Sequence, residues 1–231
     1  MKKLALLLGV ALVAVLVAFT YFGFEYAVAH SITYIWDTLF DTETKRYLVV
    51  PLCIVLSFAF FASQHFLDRK SEGHEAHGLG GGTIDARLKN YVTILIIGFF
   101  SLIAGASLGP EAVLVPASMV VGAFVATKLF KANKQVVNAL AAAGIIALFA
   151  CFFHSFYIGF LAVFLVTKQA KVKLNLQLAI VATLAAGVAY LTIVTIDPES
   201  QYFTWPQYDW ATRFIDILIA AILVVAGYVS R

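Results

Sequence analysis

The stretch GASLGPEAVLVP, at residues 105–116, places one carboxylate between two long apolar runs. Residues 90–110 carry no charged side chain, and after Glu111 no Asp or Glu occurs until Asp197. A charged side chain at the centre of a bilayer costs about 2.5–3.5 kcal/mol on insertion scales. A single acid in such surroundings therefore indicates either a functional role or a local partner that offsets this cost.

The composition is typical of a chain that crosses a membrane several times. Hydrophobic residues make up 62% of the 231 residues and charged residues 13%, about half of their usual share in soluble domains. Uncharged apolar runs occupy 4–24, 47–67, 90–110 and 174–196. About 20 apolar residues cross a bilayer as a helix, and these runs lack the alternation of barrel strands. The sequence therefore predicts an all-α, polytopic membrane protein.

The pattern of apolar runs and polar connections predicts one membrane domain over residues 1–231, with no separate soluble domain. We expect helices at 4–35, 47–66, 110–130, 136–150, 156–167, 174–196 and 210–229, and one that ends near 104. The segments 136–150 and 156–167 are short for a full crossing, and 105–110 is a glycine-containing break. Broken and tilted helices of this kind occur where backbone lines a cavity or a site.

Glu111 is predicted to lie in the first turn of a helix. Pro110 suits the first helical position because its missing N–H has no partner there, and Gly109 permits a sharp turn into the helix. The free N–H groups and the positive end of the helix dipole favour a carboxylate, and they also bind free anions. A carboxylate and a permeating anion can therefore compete for one pocket. The alternative is that Glu111 only caps its own helix near an interface.

The segment GASLGPEA at 105–112 resembles the gating-glutamate motif of the CLC family of chloride channels and proton-coupled chloride antiporters. It is closest to the bacterial branch that reads Gly-Pro-Glu. The segment HGLGGGTI at 77–84 falls where the family has its first anion-binding loop, and AAAGIIALF at 141–149 is similar to the small-residue helix after the gating helix. Residues 205–231 look like the first helix of the family's second half.

The resemblance implies a multi-pass protein of the cell inner membrane that moves chloride or another small anion, with protons as a second candidate ligand. It implies that Glu111 is the gate and that backbone N–H groups of the gating turn, together with a glycine-rich inner approach, bind the anion. The implied anion-binding residues are Gly109, Glu111, Ala112, Gly81, Gly82 and Thr83. A flexible turn is the alternative interpretation of the glycine run.

Several features depart from the family pattern, and two of them bear on the function. A CLC subunit has two inverted halves that both contribute to the pathway, whereas this chain holds the first half plus one helix. Either the chain is shortened, or a homo-oligomer such as an antiparallel dimer imitates the inverted repeat. Residues 112–196 contain no acid, so the antiporters' internal proton-transfer glutamate has no counterpart. His154 is a candidate replacement, although a lone histidine on a helix is more often structural.

The remaining motifs favour no other chemistry. HEAH at 74–77 is one residue shorter than the zinc motif His-Glu-x-x-His, and the glycines at 80–82 lack the lysine of a phosphate loop. No Gly-x-Ser-x-Gly nucleophile motif occurs. We therefore expect no metal, no cofactor and no enzymatic activity. The short Lys and Arg clusters fit interfacial anchoring and not a nucleic-acid partner. The alternative function is a membrane scaffold or assembly subunit with a degenerate CLC-like site and no transport.

Overall fold

The computed structural model describes residues 2–38, 47–68, 86–105, 109–130, 133–170 and 176–198. All regular secondary structure within these residues is helical. The chain divides into two units, Met1–Ser200 and Gln201–Arg231, and the described residues all belong to the first. The helix predicted at 210–229 and the glycine run at 80–82 lie outside the described residues.

Seven α-helices occur in the described part of the chain. They are α1 (Lys2–Ile32), α2 (Val49–Asp68), α3 (Leu88–Ile103), α4 (Glu111–Phe124), α5 (Lys134–Phe152), α6 (Phe156–Ala170) and α7 (Leu176–Ile196). α1 and α4 continue as short π-helical segments, Thr33–Thr38 and Val125–Leu129. The predicted all-α architecture is confirmed, and the predicted helices at 4–35, 47–66, 110–130 and 174–196 match observed ones to within a few residues.

Five of these helical segments are long and apolar enough to cross a membrane. They are Leu4–Ile35, Val49–Phe66, Glu111–Leu129, Lys134–Phe152 and Leu176–Ile196. The prediction that 136–150 is a short helix was wrong, because α5 has 19 residues. The side-chain oxygen of Asn133 accepts a hydrogen bond from the Val136 N–H at 3.1 Å, and this cap starts α5 two residues earlier than predicted. At its other end, α5 continues to Phe152.

α5 is the central helix of the described bundle. It packs against α1, α4, α6 and α7, and every residue from Leu140 to Leu148 is buried. α1 faces it with a stripe of buried side chains at helical spacing, Val10, Val13, Ala14, Val17, Ala18 and Tyr21. α7 contributes a narrow, alanine-rich stripe, which lets it approach α1 and α5 closely. By contrast, α2 packs only on α3 among the described elements.

Two glycines determine how α4 crosses α5. A Cβ atom at Gly122 would overlap the carbonyl oxygen of Leu140, and one at Gly144 would overlap the carbonyl oxygen of Ser118. The backbones of the two helices are therefore in direct contact, as small residues permit in membrane bundles. Because residue 118 lies opposite 144 and residue 122 opposite 140, the two helices are antiparallel.

This antiparallel arrangement sets the position of Glu111 along the bundle. From the Ser118–Gly144 contact, the start of α4 lies roughly 10 Å in one axial direction, and the end of α5 lies roughly 12 Å in the same direction. α1 is parallel to α5, since Gly9 faces Leu140 and the Tyr21 ring packs against that of Phe152. The start of α4 and the C-terminal end of α5 therefore point to the same end of the bundle.

Candidate functional site

The first turn of α4 is the site that the sequence predicts for anion binding. Pro110 is the N-cap residue, with φ −58° and ψ −21°, and Glu111 is the first residue of the helix. The Ala112 N–H donates to the Gly109 carbonyl at 3.1 Å, and the Leu114 N–H donates to the Pro110 carbonyl at 2.9 Å. Pro110 thus stands one position earlier than predicted, because its backbone already has helical angles before the first full turn.

The Glu111 side chain folds back over Gly109. A Cβ atom at Gly109 would overlap both carboxylate oxygens of Glu111, so only glycine leaves room for the carboxylate there. The side chain is exposed, and the carboxylate forms no hydrogen bond or ion pair with a described residue. What favours its position is therefore the positive end of the α4 dipole, worth typically about 0.3–1 kcal/mol at an exposed helix start.

The structure brings together three of the six predicted anion-binding residues. Gly109, Glu111 and Ala112 form one turn, whereas Gly81, Gly82 and Thr83 lie outside the described residues. The Ala112 N–H already donates to Gly109, so an anion at this turn has to share that hydrogen bond or displace it. The Glu111 N–H has no acceptor among the described residues and is the free backbone donor of the turn.

The break before α4 begins at a left-handed glycine. α3 ends at Ile103, and Gly105 has a φ of +89°, the conformation that commonly terminates a helix. α3 then lies against the first part of α4, where a Cβ atom at Gly98 would overlap the Val113 side chain. This close contact lies two residues after Glu111, about half a helical turn, and holds the backbone at the start of α4 in place.

The structure also assembles a charged cluster that sequence reasoning did not find. His154 lies in the turn between α5 and α6, where it experiences the charges of Asp197, which follows α7, and of Glu25 on α1. The Tyr21 ring lies edge-on to the His154 ring, with centroids 6.4 Å apart. Burial lowers the pKa of His154, while the negative charges of Asp197 and Glu25 raise it in part.

The backbone at His154 has an uncommon conformation. Its φ is +44°, and no other non-glycine residue among those described has a positive φ. The His154 N–H donates to the Cys151 carbonyl and the Ser155 N–H to the Ala150 carbonyl, each at 3.1 Å. These two bonds form the Schellman motif, in which glycine usually takes the place that His154 occupies. Ser155 then caps α6, accepting the Ile158 N–H at 3.4 Å.

Glu25 brings a buried oxygen to the same region. Its Oε2 atom is inaccessible to solvent and has no hydrogen-bond partner among the described residues. No group of three or more His, Cys, Asp or Glu side chains in the described ranges has an arrangement that could hold a metal ion. The sequence carried a signal for His154 alone, since residues 25, 154 and 197 are brought together only by the packing of α1, α5 and α7.

Comparison with protein-family models, with curated proteins and with solved structures finds no match to this chain. The relationship to the CLC family therefore remains a prediction from the motifs around Glu111.

Proposed function

We propose that this protein is a multi-pass protein of the cell inner membrane that moves a small anion, with Glu111 as a protonatable gate. Chloride is the first candidate for this anion. The observation that carries the proposal is the exposed Glu111 carboxylate, which folds over Gly109 at the start of α4. A negative group already occupies the place where a helix start favours an anion.

The weak attachment of the carboxylate supports a gating role. Glu111 has no hydrogen-bond partner or ion-pair partner among the described residues, so rotation of its side chain breaks no such bond there. Protonation removes its attraction to the helix dipole, and the Glu111 N–H is then available to a permeating anion. The protonated or displaced carboxylate opens the site, and the ionised carboxylate closes it.

The surrounding packing supports a fixed site with a movable side chain. Gly98 accommodates Val113 on one side of α4, and Gly122 and Gly144 join α4 to the buried helix α5 on another. A gate of this kind needs a rigid helix start, because the backbone donor has to keep its place while the carboxylate moves.

A second copy of the chain completes the pathway in this proposal. The support is the resemblance of the chain to the first half of a CLC subunit, whose pathway uses both inverted halves. Two oppositely inserted copies would reproduce that pseudo-symmetry.

The experiment is anion efflux from liposomes that contain the purified full chain, at neutral and acid pH. Chloride and nitrate are measured for the wild type and for Glu111→Gln and Glu111→Ala. Glu43→Gln is the matched control, since it removes a carboxylate from the polar connection 37–46 and not from an apolar run.

We expect anion efflux that rises at acid pH in the wild type. In both Glu111 variants it should be fast at neutral pH and nearly independent of pH, while Glu43→Gln should behave like the wild type. If no anion moves in any variant, the chain does not transport by itself, and the scaffold alternative is favoured. If anions move but both Glu111 variants keep the wild-type pH dependence, Glu111 is not the gate.

A further inference from the structure

Three segments that are far apart in sequence bring charged groups to one end of the bundle. Glu25 lies on α1, His154 lies in the α5–α6 turn, and Asp197 continues the last turn of α7 through its N–H bond to the Ile193 carbonyl at 2.8 Å. α1, α5 and α7 all pack on one another. The three groups therefore lie on, or directly after, helices that pack on one another.

The backbone holds the imidazole at this junction. His154 occupies the left-handed position of a Schellman motif, which glycine fills most easily. Strained backbone persists where the surroundings impose it, and it is concentrated at functional positions. At this position a glycine would terminate α5 equally well but would bring no titratable ring to the junction.

The charged groups that act on His154 come from two neighbouring helices. They are Asp197, at the end of α7, and Glu25 on α1. The other titratable neighbours are Tyr21, with its ring 6.4 Å away, and Cys151, on the helix that precedes His154. The Tyr21 contact places His154 against α1, one helical turn before Glu25. The Cys151 thiol donates to the Ala189 carbonyl at 3.8 Å, which places the end of α5 against α7.

We propose that Glu25, His154 and Asp197 form a proton-binding site that joins α1, the α5–α6 turn and α7. A proton from the aqueous phase binds a ring nitrogen of neutral His154 and produces an imidazolium, whose charge the carboxylates of Glu25 and Asp197 favour. One oxygen of the Glu25 carboxylate, Oε2, is buried without a hydrogen-bond partner among the described residues, so a nearby positive charge stabilises it. No other bond forms or breaks in this step.

The surroundings of His154 let it bind a proton only at acid pH. Burial opposes the charged ring more strongly than the two carboxylates favour it, so the pKa of His154 lies below that of an exposed histidine. Removal of either carboxylate should therefore weaken proton binding further. This inference does not depend on anion movement.

The test is a pH titration of the histidine side-chain NMR signals in the full chain, with isotope-labelled histidine, in detergent or nanodiscs. The chain has five histidines, and His154→Asn identifies the signal of His154. Asparagine tolerates left-handed backbone better than most residues, which makes this substitution mild.

In the wild type we expect His154 to titrate below about pH 6.5, the ordinary value for histidine, because burial outweighs the two carboxylates. Glu25→Gln and Asp197→Asn should each weaken proton binding at His154 by about 2- to 10-fold. The proposal is overturned if His154 titrates at or above the ordinary value, or if either substitution leaves its titration unchanged. The wild-type comparison needs no change to a carboxylate, so it decides the question even where a variant folds poorly.

Discussion

The imidazole ring of His154 lies edge-on to the phenol ring of Tyr21, with centroids 6.4 Å apart and planes inclined by 66°. Tyr21 belongs to the buried stripe of α1, and its ring also packs against Phe152 of α5 with centroids 6.2 Å apart. The ring of His154 thus contacts the hydrophobic core through Tyr21, and the charges of two carboxylates act on it. Protonation of this ring therefore acts on the contact between α1 and α5.

The first prediction concerns stability as a function of pH. Because burial lowers the pKa of His154 in the folded protein, the unfolded chain binds a proton there more tightly. The stabilising contribution is fully present above about pH 6.5, the ordinary value for histidine, and is lost as the pH falls through the lower folded pKa. Thermal unfolding in detergent between pH 7.5 and 5 should therefore show a steeper loss of stability for the wild type than for His154→Asn.

His65→Asn is the control for that measurement, because it makes the same chemical change at an exposed position on α2. Equal slopes for His154→Asn and the wild type would mean that His154 does not couple protonation to folding.

The second prediction concerns the place of the Glu111 carboxylate. Gly109→Ala puts a Cβ atom where the carboxylate lies, so the carboxylate should leave the helix start. In the liposome assay, efflux at neutral pH should rise severalfold toward the rate of Glu111→Ala. Adding Gly109→Ala to Glu111→Ala should have little further effect, since both changes remove the same group from one place.

Gly23→Ala is the matched control, because no heavy atom lies within 4 Å of the Cβ position at this helical glycine. If Gly109→Ala raised efflux by the same factor in the wild type and in Glu111→Ala, Gly109 would act independently of Glu111.

The third prediction concerns the crossing of α4 and α5. Gly144→Ala directs a methyl group at the carbonyl oxygen of Ser118 and should destabilise the folded protein by about 1–3 kcal/mol through overpacking. Gly187→Ala on α7 is the comparison, since its nearest neighbours are 3.8 Å and 4.0 Å away on the Phe156 ring. It should be neutral or stabilising by up to about 1 kcal/mol. Unfolding in detergent measures both, and equal stabilities would contradict the close backbone contact.

The fourth prediction concerns the number of copies. If two chains complete the pathway, cross-linking in lipid should yield a covalent dimer under the conditions in which anion efflux is measured. Efflux per chain should also fall as the chain is diluted in lipid, because a dimer dissociates on dilution. If cross-linking yields monomers alone and efflux per chain does not change on dilution, the dimer is excluded.

The helices could be predicted from the sequence because uncharged runs of membrane length leave the backbone few alternatives. The start of α4 was also predictable, since proline and a first-turn acid both favour it. The length of α5 was not, because the Asn133 cap adds to it at one end and apolar residues do not define where a helix stops.

The side-chain relationships were not predictable from the same patterns. The position of the Glu111 carboxylate over Gly109 depends on a side-chain rotation that no spacing encodes. The approach of Glu25, His154 and Asp197 depends on how three helices pack, and that packing follows from small residues dispersed through α1, α5 and α7.

The backbone contacts of Gly122 and Gly144 have a consequence for sidedness. They make α4 antiparallel to α5, so Glu111 and the His154 turn point to the same end of the bundle. In a bilayer, both titratable positions of one chain would therefore respond to the acidity of a single compartment. Two oppositely inserted copies would place one such end on each face, and the assembled protein would then read the pH of both compartments at once.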